Sequence, residues 1–213
     1  LYALSIAKAY VESGCFQNVM VIATEKMSAY VDYKDRSTCV LFGDGAAAAI
    51  VAAKGAGLRI DTLYLGSDGE FADLVKIPAG GSRNPTTKET VEKGLHYFKM
   101  SGNEVFKHAV RRMSMAAREC LAQAGLQETD VSWLVPHQAN KRIIDAIAKN
   151  FNIPESKVYQ TVHKYGNTSS SSMAIALHEL VEEYEFQEGE HLLLTAFGGG
   201  LTWGASVLTK VAG

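Results

Sequence analysis

The stretch Val131-Ser132-Trp133-Leu134-Val135-Pro136-His137-Gln138-Ala139-Asn140 decides how this chain folds. Val131–Val135 is a short apolar run of strand length, and Asn140–Asn150 reads as a helix. A strand that passes directly into a helix is the repeating unit of α/β architecture. His137 emerges at the carboxyl end of that strand, the edge where open α/β sheets bind ligands. A neutral imidazole there can donate a hydrogen bond to developing negative charge or shuttle a proton. A histidine that only caps the strand–helix turn fits the same pattern. His96, His108, His163, His178 and His191 have no such placement, and His178 opens His-Glu-Leu-Val-Glu, which lacks the second histidine of a zinc-protease helix.

The same reading extends outward. Toward the amino end, residues 1–13 form a helical pattern that stops at Gly14, and Val19–Thr24 is an apolar run suited to burial on both faces. Thr38–Phe42 and Ala46–Ala53 are expected as strands on either side of the turn Gly43-Asp44-Gly45. Residues 54–103, rich in Gly, Pro, Asn and Thr, are expected to be an irregular connection, and Glu104–Gln123 a helix ending near Gly125. Toward the carboxyl end, the pattern predicts a short strand at Lys157–Val162, a long helix at Ser169–Tyr184, and strands at His191–Phe197 and Ala205–Val211. Residues 3–53 and 169–211 both run from a helix to an apolar strand and then, past a glycine cluster, to a last strand, which suggests a duplicated α/β unit.

The 213 residues are 47% hydrophobic and 21% charged, enough for a sizeable core in one large domain or one and a half of a duplicated one. A formal net charge of -2 gives no global attraction to nucleic acid or anionic membranes, so a charged partner must be met by a local patch. Cys15, Cys39 and Cys120 are far apart and form no Cys-x-x-Cys pair, so no metal site is expected and reduced, cytosolic thiols are. The longest apolar run, around Ala46–Ala53, is far short of a membrane span. The chain opens inside a helical pattern at Leu1, which leads us to expect that it is truncated upstream.

Four further constellations could carry chemistry. Tyr165-Gly166-Asn167-Thr168 and the serines after it lie at a helix start, where Asn167 could offer an amide donor or simply cap the helix. In Phe197-Gly198-Gly199-Gly200-Leu201-Thr202-Trp203-Gly204, successive glycines let a backbone approach a ligand with its amides turned inward; a flexible turn is the plainer alternative. Gly43-Asp44-Gly45-Ala46-Ala47-Ala48 approaches a dinucleotide fingerprint, with Asp61 a suitable distance on. The break at Lys54-Gly55-Ala56-Gly57 leaves no room for the helix that should cradle the pyrophosphate. Lys107 and Arg111, with Arg112 beside them, and Arg142 with Lys149, share helix faces that could hold an acidic partner or be plain solvated surface.

Taken in order, Asp35-Arg36, Phe42–Ala46, Gly102-Asn103-Glu104-Val105-Phe106-Lys107, Pro136–Asn140, Gly166–Ser169 and Phe197–Gly204 closely resemble the β-ketoacyl-acyl-carrier-protein synthases of type III, in the thiolase-like superfamily. The resemblance extends across essentially the whole chain and places it as the C-terminal two-thirds of such an enzyme. It implies a duplicated thiolase fold with five layers, α-β-α-β-α, in a cytoplasmic homodimer. Residues 1–57 would end the amino-terminal half, 58–103 form a loop-rich connection, and 104–213 form the carboxyl-terminal half.

The resemblance also implies a reaction. A cysteine is acylated by acyl-CoA, commonly acetyl-CoA; malonyl-acyl carrier protein then loses CO2 and its enolate attacks the acyl group. His137 and Asn167 would donate hydrogen bonds to the malonyl thioester oxygen, the Gly199 amide would serve the acyl-cysteine carbonyl, and Phe197 would crowd the malonyl carboxylate. Arg36 would contact the CoA nucleotide, with Asn103, Phe106, Ala139 and Asn140 along the pantetheine tunnel and Lys107, Arg142 and Lys149 meeting acyl carrier protein. CoA and carrier-protein thioesters are substrates, and no further cofactor or metal is implied. The nucleophilic cysteine is expected a few residues before Leu1, where a helix dipole would lower its pKa; Cys15, Cys39 and Cys120 do not fit that role. The thiolases' second cysteine and the second histidine of the elongating synthases have no counterpart in this chain. A non-acylating thiolase-like subunit, paired with a chain that carries the cysteine, is the competing reading.

Overall fold

The computed structural model describes residues 1–212. Its elements are α1 (Tyr2–Glu12), β1 (Asn18–Lys26), β2 (Asp44–Ala52), β3 (Gly57–Ser67), β4 (Val75–Lys76), α2 (Lys88–Glu92), β5 (Lys99–Met100), α3 (Gly102–Ala124), β6 (Val131–Pro136), α4 (Lys141–Asn150), α5 (Val162–Tyr165), α6 (Ser172–Glu183), β7 (His191–Gly198) and β8 (Thr202–Val211). The larger sheet has the order β3-β8-β7-β6, with β6 and β7 parallel and the other pairs antiparallel. A second, antiparallel sheet joins β1 to β2.

Side chains along a strand point alternately to the two faces, and those of β7 are divided between two cores accordingly. Leu193 packs with Met113, Ala117, Ile144 and Ile147 beneath α3 and α4. Its neighbours Leu192 and Leu194 pack on the other face with Met173, Ala176 and Leu180 of α6. All these residues except Met173 are at most 1% exposed, and each fully buried Leu, Ile or Met among them contributes about 1.5–3 kcal/mol. α6 also touches β2, and α1 packs on β1 and β2, so the two helices lie between the sheets. The layers run α3/α4, large sheet, α6/α1, small sheet, which are four of the five layers of the α-β-α-β-α expectation. The helix–strand–strand order recurs as α1-β1-β2 and α6-β7-β8, each with an antiparallel strand pair.

Several expectations need correction. β1 is covered on one face only: Met20 and Ile22 are each 60% exposed and Ile50, opposite Met20, is 61% exposed. Thr38–Phe42 is no strand, because Asp35 organises consecutive turns: its carboxylate takes the Ser37 N–H at 3.0 Å and its carbonyl the Cys39 N–H at 3.0 Å. Lys157–Val162 makes one isolated bridge, Val158 to Leu134. The connection placed at 58–103 begins later, because β3 is a full strand paired along β8. Its Arg59 and Asp61 hide the apolar alternation; Asp61 accepts a hydrogen bond from Thr209 of β8.

Gly43-Asp44-Gly45 opens strand β2 rather than a helix and packs against the segment that leads into α6. Phe42 bridges Asn167, the Gly43 N–H donates to the Asn167 carbonyl at 3.0 Å, and the Asn167 N–H donates to the Leu41 carbonyl at 2.8 Å. A Cβ on Gly43 would lie 2.0 Å from the Tyr165 carbonyl oxygen. Gly43→Ala should therefore lower stability by about 1–3 kcal/mol, the range for overpacking a closed contact. Gly102→Ala, where a methyl meets open space, should leave it unchanged or slightly higher. Thermal unfolding of both variants beside the parent checks the contrast.

Candidate active site

β6 delivers His137 to the rim of a cavity of about 810 Å³. The His137 N–H donates to the Thr195 carbonyl at 2.8 Å, which extends the β6–β7 pairing one residue past the strand and fixes the backbone at that point. The ring Nδ1 lies 2.7 Å from Ser172 Oγ at the first turn of α6, leaving Nε2 for a ligand. Burial pushes the imidazole pKa down to about 4, so the ring is neutral near pH 7.

Asn167 lies on the same cavity, and its own fold orients its amide. Its Oδ1 accepts the Ser169 N–H at 2.9 Å, an Asx-type turn that occupies the acceptor end and leaves the Nδ2 donors free. The backbone is held on both sides by its hydrogen bonds with Leu41 and Gly43. Gly166, at φ 68°, makes the sharp entry into this turn, and a Cβ there would stand 2.9 Å from the Leu41 carbonyl oxygen.

The glycine turn supplies a third wall. Phe197, Gly198 and Gly199 line the cavity, with Gly199 just beyond the last β7–β8 pair, Gly198 with Thr202. The turn is tied down from outside by reciprocal backbone hydrogen bonds between Asp68 and Leu201, 2.8 Å each. Arg112 is not part of the exposed basic face: its guanidinium pairs with Asp68 at 2.7 Å and lies 4.3 Å over the Trp203 ring. Trp203 in turn rests on Gly66, where any Cβ would collide with the indole.

The expected site residues divide into two groups. His137, Asn167, Phe197, Gly199, Ala139 and Asn140 all line the one cavity. Asn140 has a second task, since its Oδ1 caps α4 by accepting the Ile143 N–H at 3.0 Å. Arg36, Asn103 and Phe106 lie off the lining; Arg36 and Asn103 are exposed, and Phe106 is half-buried beneath the guanidinium of Arg142, 5.4 Å from its ring centre. That stack brings Lys107 and Arg142 to neighbouring helices, and Lys149 is exposed further along α4. Glu104 pairs with Lys107 at 2.7 Å and partly neutralises it.

Sequence reasoning missed two residues. Gln138 is fully buried and spans two loops: its Nε2 donates to the Pro136 carbonyl at 2.7 Å, and its Oε1 accepts the Thr161 and Val162 N–H groups at 2.8 and 3.2 Å. It thus ties the His137 turn to the segment leading into Asn167; its hold on the Thr161 and Val162 amides, with the turn at Glu155–Lys157 taking those of Lys157 and Val158, leaves Lys157–Val162 with a single bridge. Ser172 is the other, the one serine of its run that reaches the imidazole. A glutamine beside a candidate histidine was the available signal for the first; nothing local marks Ser172 among its neighbours. None of the three cysteines lines the cavity: Cys15 is exposed, the Cys39 thiol faces the Tyr33 carbonyl, and Cys120 is buried against Thr62. Among the described residues, no cluster of three or more His, Cys, Asp or Glu could hold a metal ion, and no helix is long and apolar enough to cross a membrane.

Comparison with known proteins gives a consistent result. Residues 1–69 match the family described as 3-oxoacyl-[acyl-carrier-protein (ACP)] synthase III, and residues 121–210 match the family of its C-terminal part. The chain is 59% identical to a β-ketoacyl-[acyl-carrier-protein] synthase III of Chlamydia caviae, over 100% of this chain and 64% of that protein. It is 48% identical to the one of Clostridioides difficile, over 98% of this chain and 63% of that protein. The crystal structure of 3-oxoacyl-[acyl-carrier-protein] synthase III from Aquifex aeolicus superimposes with a TM-score of 0.87 at 44% identity, covering 98% of this chain and 63% of that one. The chain therefore spans somewhat under two thirds of the length of these relatives, with a thiolase-like fold throughout. With both family matches in sequence order and the fold shared, the chain belongs to the 3-oxoacyl-[acyl-carrier-protein] synthase III family.

Proposed function

We propose that this chain carries the decarboxylating and condensing side of an initiating synthase of fatty acid synthesis, which joins an acyl-CoA, acetyl-CoA in the simplest case, to malonyl-acyl carrier protein. The observation that carries this reading is the pair of free donors, His137 Nε2 and Asn167 Nδ2, on one apolar cavity. In the proposed step both donate to the malonyl thioester oxygen. The bond to the carboxylate breaks, CO2 leaves, and its electron pair passes through the new enolate to that oxygen. The enolate carbon then attacks the acyl-cysteine carbonyl, whose oxygen is met by the Gly199 N–H, and the thiolate leaves. Neutral donors suit this work, because they stabilise charge as it develops and do not bind the carboxylate in the ground state. Phe197 lines the place where the carboxylate is lost, and an apolar wall there favours the neutral product CO2.

The remaining assignments follow the resemblance. Arg36 meets the CoA nucleotide, Asn103, Phe106, Ala139 and Asn140 flank the pantetheine, and Lys107, Arg142 and Lys149 receive acyl carrier protein. We assign residues 1–57 to the amino-terminal thiolase-like half, with β3 moved to the carboxyl-terminal half because it pairs with β8. The working form is a cytoplasmic homodimer that needs no cofactor beyond its thioester substrates. The nucleophilic thiol is proposed to lie in sequence preceding α1, since Leu1 lines the cavity and a thiol at that helix start would gain from the dipole. A cavity lined without any of the three cysteines also fits the second reading, a subunit that is not itself acylated. Intact mass after incubation with acetyl-CoA separates them: one acetyl adduct on the full-length protein supports the enzyme, and no adduct supports the partner subunit.

His137→Ala and Asn167→Ala, made in the protein at the full length of its relatives, should each slow release of CO2 from malonyl-acyl carrier protein by about 10²–10³-fold, the usual loss for one such donor, and leave acylation by acyl-CoA intact. Parental condensation by either variant overturns the donor role of that residue. The neutral ring also leaves a signature in stability. Its folded pKa of about 4 lies below the 6.5 of an unperturbed histidine, so the unfolded chain binds the extra proton first. Stability should fall as pH drops through 6.5 toward 4, by roughly 3 kcal/mol for this group in total. Denaturant unfolding between pH 4.5 and 7 should show this component in the parent and lose it in His137→Gln.

A further inference from the structure

We infer that Ser172 is the positioning residue that fixes His137 as an Nε2–H donor facing the cavity. The inference rests on the reading of His137 as a donor to the thioester oxygen and adds what sets its tautomer. Ser172 is the first residue of α6 and only 2% exposed. Its Oγ lies 2.7 Å from His137 Nδ1 and 3.2 Å from the Gln138 backbone nitrogen.

The hydrogen-bond inventory of a hydroxyl decides the direction. The Gln138 N–H can only donate, so Ser172 Oγ accepts from it. The hydroxyl has one proton, and Nδ1 is the acceptor within reach. The Ser172 hydroxyl therefore donates to Nδ1, which must be the unprotonated nitrogen of a neutral ring. The proton of that ring sits on Nε2, where the donor is required. In the opposite tautomer Nδ1–H would point at Oγ, and the buried hydroxyl proton would lose its partner. The ring's backbone is already tied to Thr195, so the Ser172 contact sets the one remaining freedom, rotation of the imidazole. Ser172 also opens α6, and the positive end of that helix disfavours a charged ring beside it.

The test uses the full-length protein labelled with nitrogen-15 at histidine. Between pH 6 and 8 the parent should show His137 neutral, with Nδ1 unprotonated and Nε2 protonated. Ser172→Ala should lose the single tautomer and decarboxylate malonyl-acyl carrier protein about 10–100-fold more slowly, with KM within about twofold and acylation unchanged. Ser172→Thr, which keeps the hydroxyl, should retain the tautomer and most of the rate. A parent ring protonated at Nδ1 overturns the inference even if Ser172→Ala does not fold, and so does a Ser172→Ala protein with the parental tautomer and rate. Failure of the broader reading looks different: His137→Ala would decarboxylate at the parental rate while the parent ring still showed the expected tautomer.

Discussion

Two backbone segments distant in sequence press together with no space for a side chain between them. Leu41–Gly43 and Tyr165–Asn167 exchange backbone hydrogen bonds, and the contact exists only because residue 43 has no Cβ and residue 166 can take a positive φ. This seam joins the small sheet, whose β2 starts one residue later, to the loop that opens α6. Asn167 sits in it as a structural member with its side-chain oxygen already used, so its amide faces the cavity by construction. The donor is held by backbone, and backbone contacts move less than surface side chains.

His137, the second proposed donor, is set by a different device. Parallel pairing of β6 with β7 carries the chain to the sheet edge, and one more backbone hydrogen bond places His137 just past it. Gln138 then links the two devices: one buried carboxamide touches the turn after β6 and the start of α5. Burial of an amide with all its partners met makes the arrangement specific, because any alternative leaves polar groups unpaired. Behind the glycine turn, the Asp68–Arg112 pair and the Trp203 indole brace the third wall by charge and stacking, while Arg112 Nε and Trp203 Nε1 stay buried without hydrogen-bond partners.

Much of this was legible in the sequence. Strand–turn–helix punctuation around Val131–Asn150 placed His137 at the sheet edge, and the helix-start pattern placed Asn167, because both depend on local periodicity. Two of the misreadings share a cause. Thr38–Phe42 has strand composition, but Asp35 bends it; Lys157–Val162 does too, but Gln138 takes the Thr161 and Val162 amides. In both a side chain or a local turn takes hydrogen bonds that composition alone assigns to a neighbouring strand. β3 is the opposite case: it is a full strand whose polar Arg59 and Asp61 pair with each other and mask the apolar alternation. Gly43-Asp44-Gly45 lacked the following helix of a nucleotide loop in sequence, but its actual partner, the Asn167 turn, lies too far along the chain for any local pattern to reveal. Ser172 was invisible for the same reason.

The two proposed donors of the cavity carry no formal charge, while the residues on the outer helix faces, Lys107, Arg142 and Lys149, are exposed cations. Dissolved ions screen exposed charges over about 8–10 Å at moderate salt and have little hold on short hydrogen bonds inside an apolar cavity. Ionic strength thus divides the molecule into an outer surface that feels the medium and an inner site that does not. A charged partner would be recruited or released as salt changes, and the step inside would proceed at the same pace once it arrived.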